Sequence, residues 1–221
     1  MIYTAVLMLD GAVGNLPMPN DTAARERVEK TENAQLRHHR SMAYVLLESA
    51  YFDIYGSPMP PLAFGEDGKP RLVGSRVKIS VSHTSGICAV SFADADVGVD
   101  VQSYCEAAGK ERVLQKFVNE NLQKAIKSAK SPELQLCFYE VDLNGSVVRA
   151  DCEPPARLEL LRTPRADTGG APCAALWSAL EALLKCRHGF SELPHAEKLA
   201  RVAEIVTFYL SEAALSVAII K

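Results

Sequence analysis

The sequence predicts an α+β fold, and three observations carry that prediction. Apolar, β-rich runs open the chain at 2–9 and recur as a pair, Lys78 to Ser82 and Ile87 to Phe92. A long stretch of helical periodicity, 21–52, lies between them. The C-terminal part reverses the order, with a helix around Trp177 to Lys185 followed by a short helix and two closing strands over 194–221. The chain has 221 residues, 48% of them hydrophobic, which suits one large domain or two small ones with a sizeable core.

Each element has its own signal. Met1 to Leu9 lacks a basic leader region and reads as a first strand rather than a signal peptide. In 21–52, Leu36, Ala43, Leu46 and Leu47 recur at helical spacing, while Arg25, Arg27, Lys30, Arg37 and Arg40 supply a polar face. Pro58, Pro60 and Pro61 break the chain after it. His83-Thr84-Ser85-Gly86 reads as the turn of a hairpin, and Val97 to Val101 as a third strand. Residues 110–129 read as an amphipathic helix. Leu134 to Val141 and Ser146 to Ala150 flank Asn144-Gly145, a strong hairpin signal. A short strand at Leu158 to Leu161 and a loop with Pro164, Asp167, Gly169, Gly170 and Pro172 follow. The stretch 131–173 therefore reads as an insertion or a rearranged strand set ahead of the Trp177 helix, which Gly189-Phe190 ends.

Composition excludes several classes. A net charge of −3 argues against a nucleic-acid binder. No run approaches the roughly 20 apolar residues of a membrane span. Cys88, Cys105, Cys137, Cys152, Cys173 and Cys186 show no C-x-x-C spacing and are expected to be reduced, mostly buried thiols in a cytoplasmic protein. There is no P-loop, no G-x-G-x-x-G and no nucleophile elbow around Ser82.

Two blocks carry chemistry. Gly98-Val99-Asp100-Val101-Gln102 ends a β-rich run, and Asp100 and Gln102, two apart, share one face of the strand. Trp177-Ser178-Ala179-Leu180-Glu181-Ala182-Leu183-Leu184-Lys185 lies on a helix. Its Trp177, Glu181 and Lys185 are four residues apart and stack on nearly one face. Mg²⁺ takes oxygen ligands, usually one or two carboxylates with substrate phosphates and water. Asp100 and Glu181 are candidate carboxylates, and Lys185 a candidate phosphate partner. An ordinary surface i,i+4 pair between Glu181 and Lys185 fits the same spacing.

The blocks resemble the signature of the 4′-phosphopantetheinyl transferase superfamily, in the longer, monomeric surfactin-synthetase-activating type. That family carries V-G-I-D-x-E, then W/F-S-x-K-E-x-x-x-K. Gly68-Lys69-Pro70 and Ser80-Val81-Ser82-His83-Thr84 stand where it has G-K-P and N-x-S-H-S/T, and Arg40-Ser41 where it has a basic residue before Ser/Thr. The resemblance covers most of 1–125 and 174–221. The chain departs from it in three ways. Gln102 replaces a glutamate, Leu180 replaces a lysine, and Asp100 and Trp177 are nearly twice as far apart as is typical.

The resemblance implies two pseudo-symmetric α/β halves, 1–104 and 105–221, the second carrying the hairpin-containing insertion, with the site at their junction. A weak echo between Ser85 to Phe92 and Ser211 to Ala218 suits two such halves. The implied reaction is Mg²⁺-dependent transfer of the 4′-phosphopantetheine arm of coenzyme A to a serine of an acyl or peptidyl carrier protein, releasing adenosine 3′,5′-bisphosphate. Asp100, Gln102 and Glu181 would hold the metal, Gln102 weakly or through water. Glu181, or a water on the metal, would take the serine proton. Lys185 would stabilise phosphate charge. Arg40, Lys69, Ser82, His83, Thr84 and Lys185 would bind coenzyme A, Lys69 at its 3′-phosphate. Gln102 and Leu180 motivate an alternative, a non-catalytic relative that binds coenzyme A or a carrier protein.

Overall fold

The structure is a computed structural model describing residues 1–9, 16–108, 110–142, 144–150, 171–187, 189–210 and 212–220. It is an α+β protein in which the contacts separate two compact units. One takes in Met1–Asp94 and the stretch that begins at Leu134; the other takes in Ala95–Glu133 and the described residues from Ala171 onward. The sequence reading divides the chain once, after residue 104. In the structure each unit is built from two stretches of chain.

The first unit opens with strand β1 (Ile2–Met8). The helical stretch expected over 21–52 forms as two helices, α1 (Thr22–Glu29) and α2 (Ala34–Tyr55). The break has a local cause. Asn33 takes an extended backbone and its side chain accepts the Leu36 N–H, which caps a new helix rather than continuing the old one. Gly56, at φ +66° in the left-handed region, ends α2. Strands β2 (Leu62–Phe64) and β3 (Pro70–Leu72) form a small hairpin that the sequence reading did not anticipate, because three-residue strands carry too few positions to show alternation.

Strands β4 (Lys78–Thr84) and β5 (Ile87–Ala93) pair antiparallel as expected, with Gly86 at φ +75° in the turn. β5 also pairs antiparallel with β1. Helix α2 covers this sheet with Met42, Leu46 and Leu47, which pack among Leu7, Ile79, Val90 and Phe92.

The second unit begins with β6 (Asp96–Ser103) and α3 (Tyr104–Ala108). The helix expected over 110–129 is interrupted in the same way as the first. α4 (Glu111–Phe117) stops, and Asn119 caps α5 (Glu120–Ser128) by accepting the Leu122 N–H. The Asn144-Gly145 hairpin forms where expected, as β7 (Leu134–Val141) and β8 (Val147–Arg149). Its location corrects the expectation of an insertion in the second half. β7 pairs in parallel with β1 and completes a five-stranded sheet of the first unit, in the order β4-β5-β1-β7-β8. The unpaired edge of β1 needs backbone partners, and β7 supplies them with alternate residues Cys137 and Tyr139 buried. The expected strand at 158–161, Pro164, Asp167, Gly169 and Gly170 of the loop after it, and Cys152 lie outside the described residues. Pro172, expected in that loop, is instead the second residue of the helix Ala171–Lys185, a first-turn position that needs no backbone N–H.

Helix α6 (Ala171–Lys185), a 3-10 stretch (Gly189–His195), α7 (Ala196–Val202), β9 (Ala203–Tyr209) and β10 (Ala213–Ile220) complete the second unit. β10 lies between β6 and β9, antiparallel to both, and α6 packs across all three. The echo seen in the sequence falls on β5 and β10, each an inner strand of its sheet.

Among the described residues no helix is long and apolar enough to cross a membrane. Described cysteines are free; Cys88, Cys137, Cys173 and Cys186 are buried and Cys105 is exposed.

One side chain ties three pieces of the first unit. Asp21 Oδ1 accepts the Ala24 N–H at 2.8 Å and caps α1, while Oδ2 accepts the Leu62 N–H of β2 at 2.9 Å. Asp21→Ala removes both bonds and leaves two backbone donors to find other partners. Urea unfolding is expected to show a loss of about 2 kcal/mol, the upper range for a lost cap.

Candidate active site

The site begins at Gly98. Strand β6 and helix α6 approach so closely there that a Cβ on residue 98 would collide with the Ala182 carbonyl oxygen. It would also lie 2.9 Å from the Ala182 carbonyl carbon and 3.0 Å from the Cys186 nitrogen. Glycine removes the obstacle, and the strand lies almost against the helix backbone. Two residues along β6, on the same face of the strand, Asp100 meets the side chains of α6.

That meeting forms a compact charged cluster. Lys185 Nζ donates to Asp100 Oδ1 at 2.7 Å and to the Val99 carbonyl oxygen at 3.3 Å. Asp100 is only 3% exposed. Glu181 shares a hydrogen bond with Asp100, and the Trp177 indole N–H donates to Glu181 Oε1. The stacking expected of Trp177, Glu181 and Lys185 on one helix face is therefore present, and the face looks onto Asp100.

The electrostatics follow from burial. Desolvation pushes the Glu181 carboxyl up to about 7, and the neighbouring Asp100 charge adds to that rise. Lys185 and the Trp177 N–H act in the opposite direction. The carboxyl is thus poised to hold or release a proton near neutrality.

Gln102 faces the same way but is engaged elsewhere. Its Oε1 accepts from Lys110 Nζ at 2.8 Å, and its Nε2 donates to Glu106 Oε2 at 3.1 Å. Lys110 Nζ also sits 4.8 Å from the centre of the Trp177 ring. One polar chain therefore runs Lys185, Asp100, Glu181, Trp177, Lys110, Gln102, Glu106. Lys110 and Glu106 were not anticipated. Nothing in their local sequence separates them from any other helix-end charge.

The block residues between these groups are structural. Leu180 is 1% exposed and part of the unit's core. Ser178 is fully buried, and its hydroxyl shares a hydrogen bond with Ser216 of β10, which shares another with Thr207 of β9. This run of hydroxyls ties α6 to its sheet.

The remaining candidates lie in the first unit. Ser82, His83 and Thr84 end β4, with Ser82 and Thr84 buried and His83 half-buried 6.3 Å from the His39 ring. Arg40 Nη1 donates to Thr31 Oγ1 at 2.7 Å. Lys69 follows Gly68 (φ +72°) in the β2–β3 turn, where its backbone N–H donates to Asp67. A side chain that sequence reasoning placed only on a polar helix face, Arg27, joins them. Its guanidinium lies 4.6 Å over the Phe64 ring and close to Gly68, and with Arg40 it opposes the burial-driven rise of the Tyr44 hydroxyl pKa. Arg27, Arg40 and Lys69 lie at this end of the first unit, with the acids Glu66 and Asp67 in the same turn as Lys69.

Two carboxylates side by side, one in a desolvated position with a raised pKa, are a donor set that suits a hard divalent cation. Among the described residues no group of three or more His, Cys, Asp or Glu side chains gathers to hold a metal by itself. Asp100 and Glu181 therefore fit a Mg²⁺ whose other ligands come from phosphates and water, and do not form an all-protein cage.

In comparisons with known proteins, no family model matches the sequence and no curated protein does.

Two outcomes test this geometry. Gly98→Ala forces β6 and α6 apart, and urea unfolding is expected to show a loss of about 3 kcal/mol, the upper range for overpacking. Glu181 gives a pH signature. Its folded pKa lies above the ordinary value of 4.5, so protonation favours the native state. The stability it contributes is complete below about pH 4.5 and is lost as pH rises through about 7. Thermal melts of Glu181→Gln should lack that decline and exceed wild type at pH 8, by at most about 3 kcal/mol. Parallel pH curves for the two proteins would remove the raised carboxyl.

Proposed function

We propose that this protein transfers 4′-phosphopantetheine from coenzyme A to a serine hydroxyl of an acyl or peptidyl carrier protein, with adenosine 3′,5′-bisphosphate as the other product. The observation that carries the reading is the contact of Asp100 with Lys185, two residues 85 apart in sequence, in a cluster completed by the raised Glu181 carboxyl. These are the acids and the lysine that the two motif blocks single out. The motif resemblance supplies the substrate. The geometry supports the chemistry.

The chain's groups divide the work. Glu181 would accept the proton of the attacking serine hydroxyl. The serine oxygen bonds to the β-phosphorus of coenzyme A as the bond to the bridging pyrophosphate oxygen breaks, and the bisphosphate leaves with that oxygen. Asp100 and Glu181 would hold Mg²⁺. That ion would supply charge neutralisation at the pyrophosphate. Lys185, anchored on Asp100, adds positive charge at the same face of α6. The Trp177 N–H orients the Glu181 carboxylate. Arg40, Lys69, Ser82, His83 and Thr84 are assigned to coenzyme A on the motif resemblance, and Lys69 would meet a phosphate as a point charge. The reading places the two units in the pseudo-symmetric architecture of that family.

Intact-mass spectrometry of an apo carrier protein incubated with coenzyme A and Mg²⁺ tests the proposal. The wild type should add the phosphopantetheine mass, and chelation of Mg²⁺ should stop it. Asp100→Ala and Glu181→Ala should each lower the rate by about 10²–10³, the usual effect of removing one preorganised electrostatic group. Near-normal turnover by Asp100→Ala would sink the site assignment. Binding of coenzyme A without modification of any of several carrier proteins would favour the non-catalytic reading.

A further inference from the structure

Lys110 stands outside both motif blocks, yet its ammonium lies inside the polar chain of the site. It is the N-cap residue of α4, and its backbone N–H donates to the Ala107 carbonyl at 2.8 Å. The side chain is half-buried. Its Nζ is held from two sides, by Gln102 Oε1 at 2.8 Å and by the face of Trp177 at 4.8 Å.

An ammonium carries three donors. Gln102 takes one. The indole face attracts the charge through its quadrupole and needs no directed N–H bond. Among the described residues no other hydrogen bond to this ammonium is found. The group is therefore positioned, charged and equipped with donors for an incoming oxygen.

The site has need of such a cation. Two acids, Asp100 and Glu181, face one lysine of the cluster, Lys185, which is ion-paired with Asp100. Glu106, bonded to Gln102, adds a third acid nearby. Residue 180, just before Glu181 on the helix, is a core leucine and offers no charge to a ligand. Counted from these side chains alone, without the Mg²⁺ that Asp100 and Glu181 would hold, a pyrophosphate entering here meets net negative charge unless Lys110 takes part.

We propose that Lys110 is a second anion-binding residue of this site, using its spare donors on the pyrophosphate of the ligand while Trp177 and Gln102 hold it beside Glu181. This rests on the reading of the cluster as a site for a pyrophosphate ester. Lysine suits the role as a compact point charge.

Trp177 is the chain's sole tryptophan, so its emission reports directly on the cation above its ring and the carboxylate at its N–H. The test titrates inorganic pyrophosphate with Mg²⁺ into the full-length wild type, Lys110→Met, Lys110→Gln and Lys110→Arg. Thermal melts identify the folded variants, and the two neutral substitutions back each other up. Pyrophosphate should change the Trp177 emission of the wild type. Its affinity should fall about tenfold in the neutral variants, as for loss of one charged hydrogen bond, and Lys110→Arg should recover most of it. In the carrier-protein assay the neutral variants should raise KM for coenzyme A by a similar factor and change kcat less. Unchanged pyrophosphate affinity and unchanged KM in a folded neutral variant would overturn the proposal while leaving the transferase reading in place. Equal weakness of the Arg and Met variants would also overturn it. A wild type that modifies no carrier but binds pyrophosphate through Lys110 would overturn the transferase reading and uphold the anion site.

Discussion

The close approach of β6 to α6 at Gly98 is the constraint on which the candidate site depends. Backbone nearly touches backbone there, so the helix cannot drift from the strand without opening a gap in the core. The consequence is geometric. Asp100 is two residues from the contact on one element, and Glu181 and Lys185 flank Ala182 and Cys186 on the other. Their side chains have to meet. The hydroxyls of Ser178, Ser216 and Thr207 tie the same face of the helix to β10 and β9, with Ser216 the register partner of Asp100, so α6 is bound on more than one line.

Once the carboxylates are brought together, burial decides their chemistry. Water would screen two adjacent acids, but the position between strand and helix excludes most of it. The result is a raised Glu181 carboxyl and a lysine drawn onto Asp100. The arrangement is costly for stability, and a carboxyl raised by burial beside a specific charge partner is the pattern that marks a candidate functional site. Trp177 has a part beyond its bulk. It offers an N–H to Glu181 at its edge and a face to Lys110, and so joins an acid and a base that do not share a hydrogen bond.

Much of the fold was legible in the chain. The β4–β5 hairpin, β6, the Asn144-Gly145 hairpin, the Trp177 helix and the two closing strands form within a few residues of where periodicity and turn residues put them. The misses have local causes. Asn33 and Asn119 each start a fresh helix inside a run that reads as continuous, because a side-chain cap competes with one more turn. The β2–β3 pair is too short to show a period. The hairpin's turn was readable, but its place in a sheet was not, since pairing with β1 depends on an edge far away in sequence.

The same division holds for the candidate site. By itself the sequence determined which residues share a face, because strand and helix periods are local properties: Asp100 with Gln102, and Trp177 with Glu181 and Lys185. Only the tertiary structure decided which faces meet and what each charge does there. It turned Gln102 toward Lys110 and Glu106, buried Leu180, set Lys185 on Asp100 and placed Arg27 beside the Lys69 turn. Those outcomes depend on distances between residues remote in the chain and on the water that packing removes, and neither quantity is written in any local stretch of sequence.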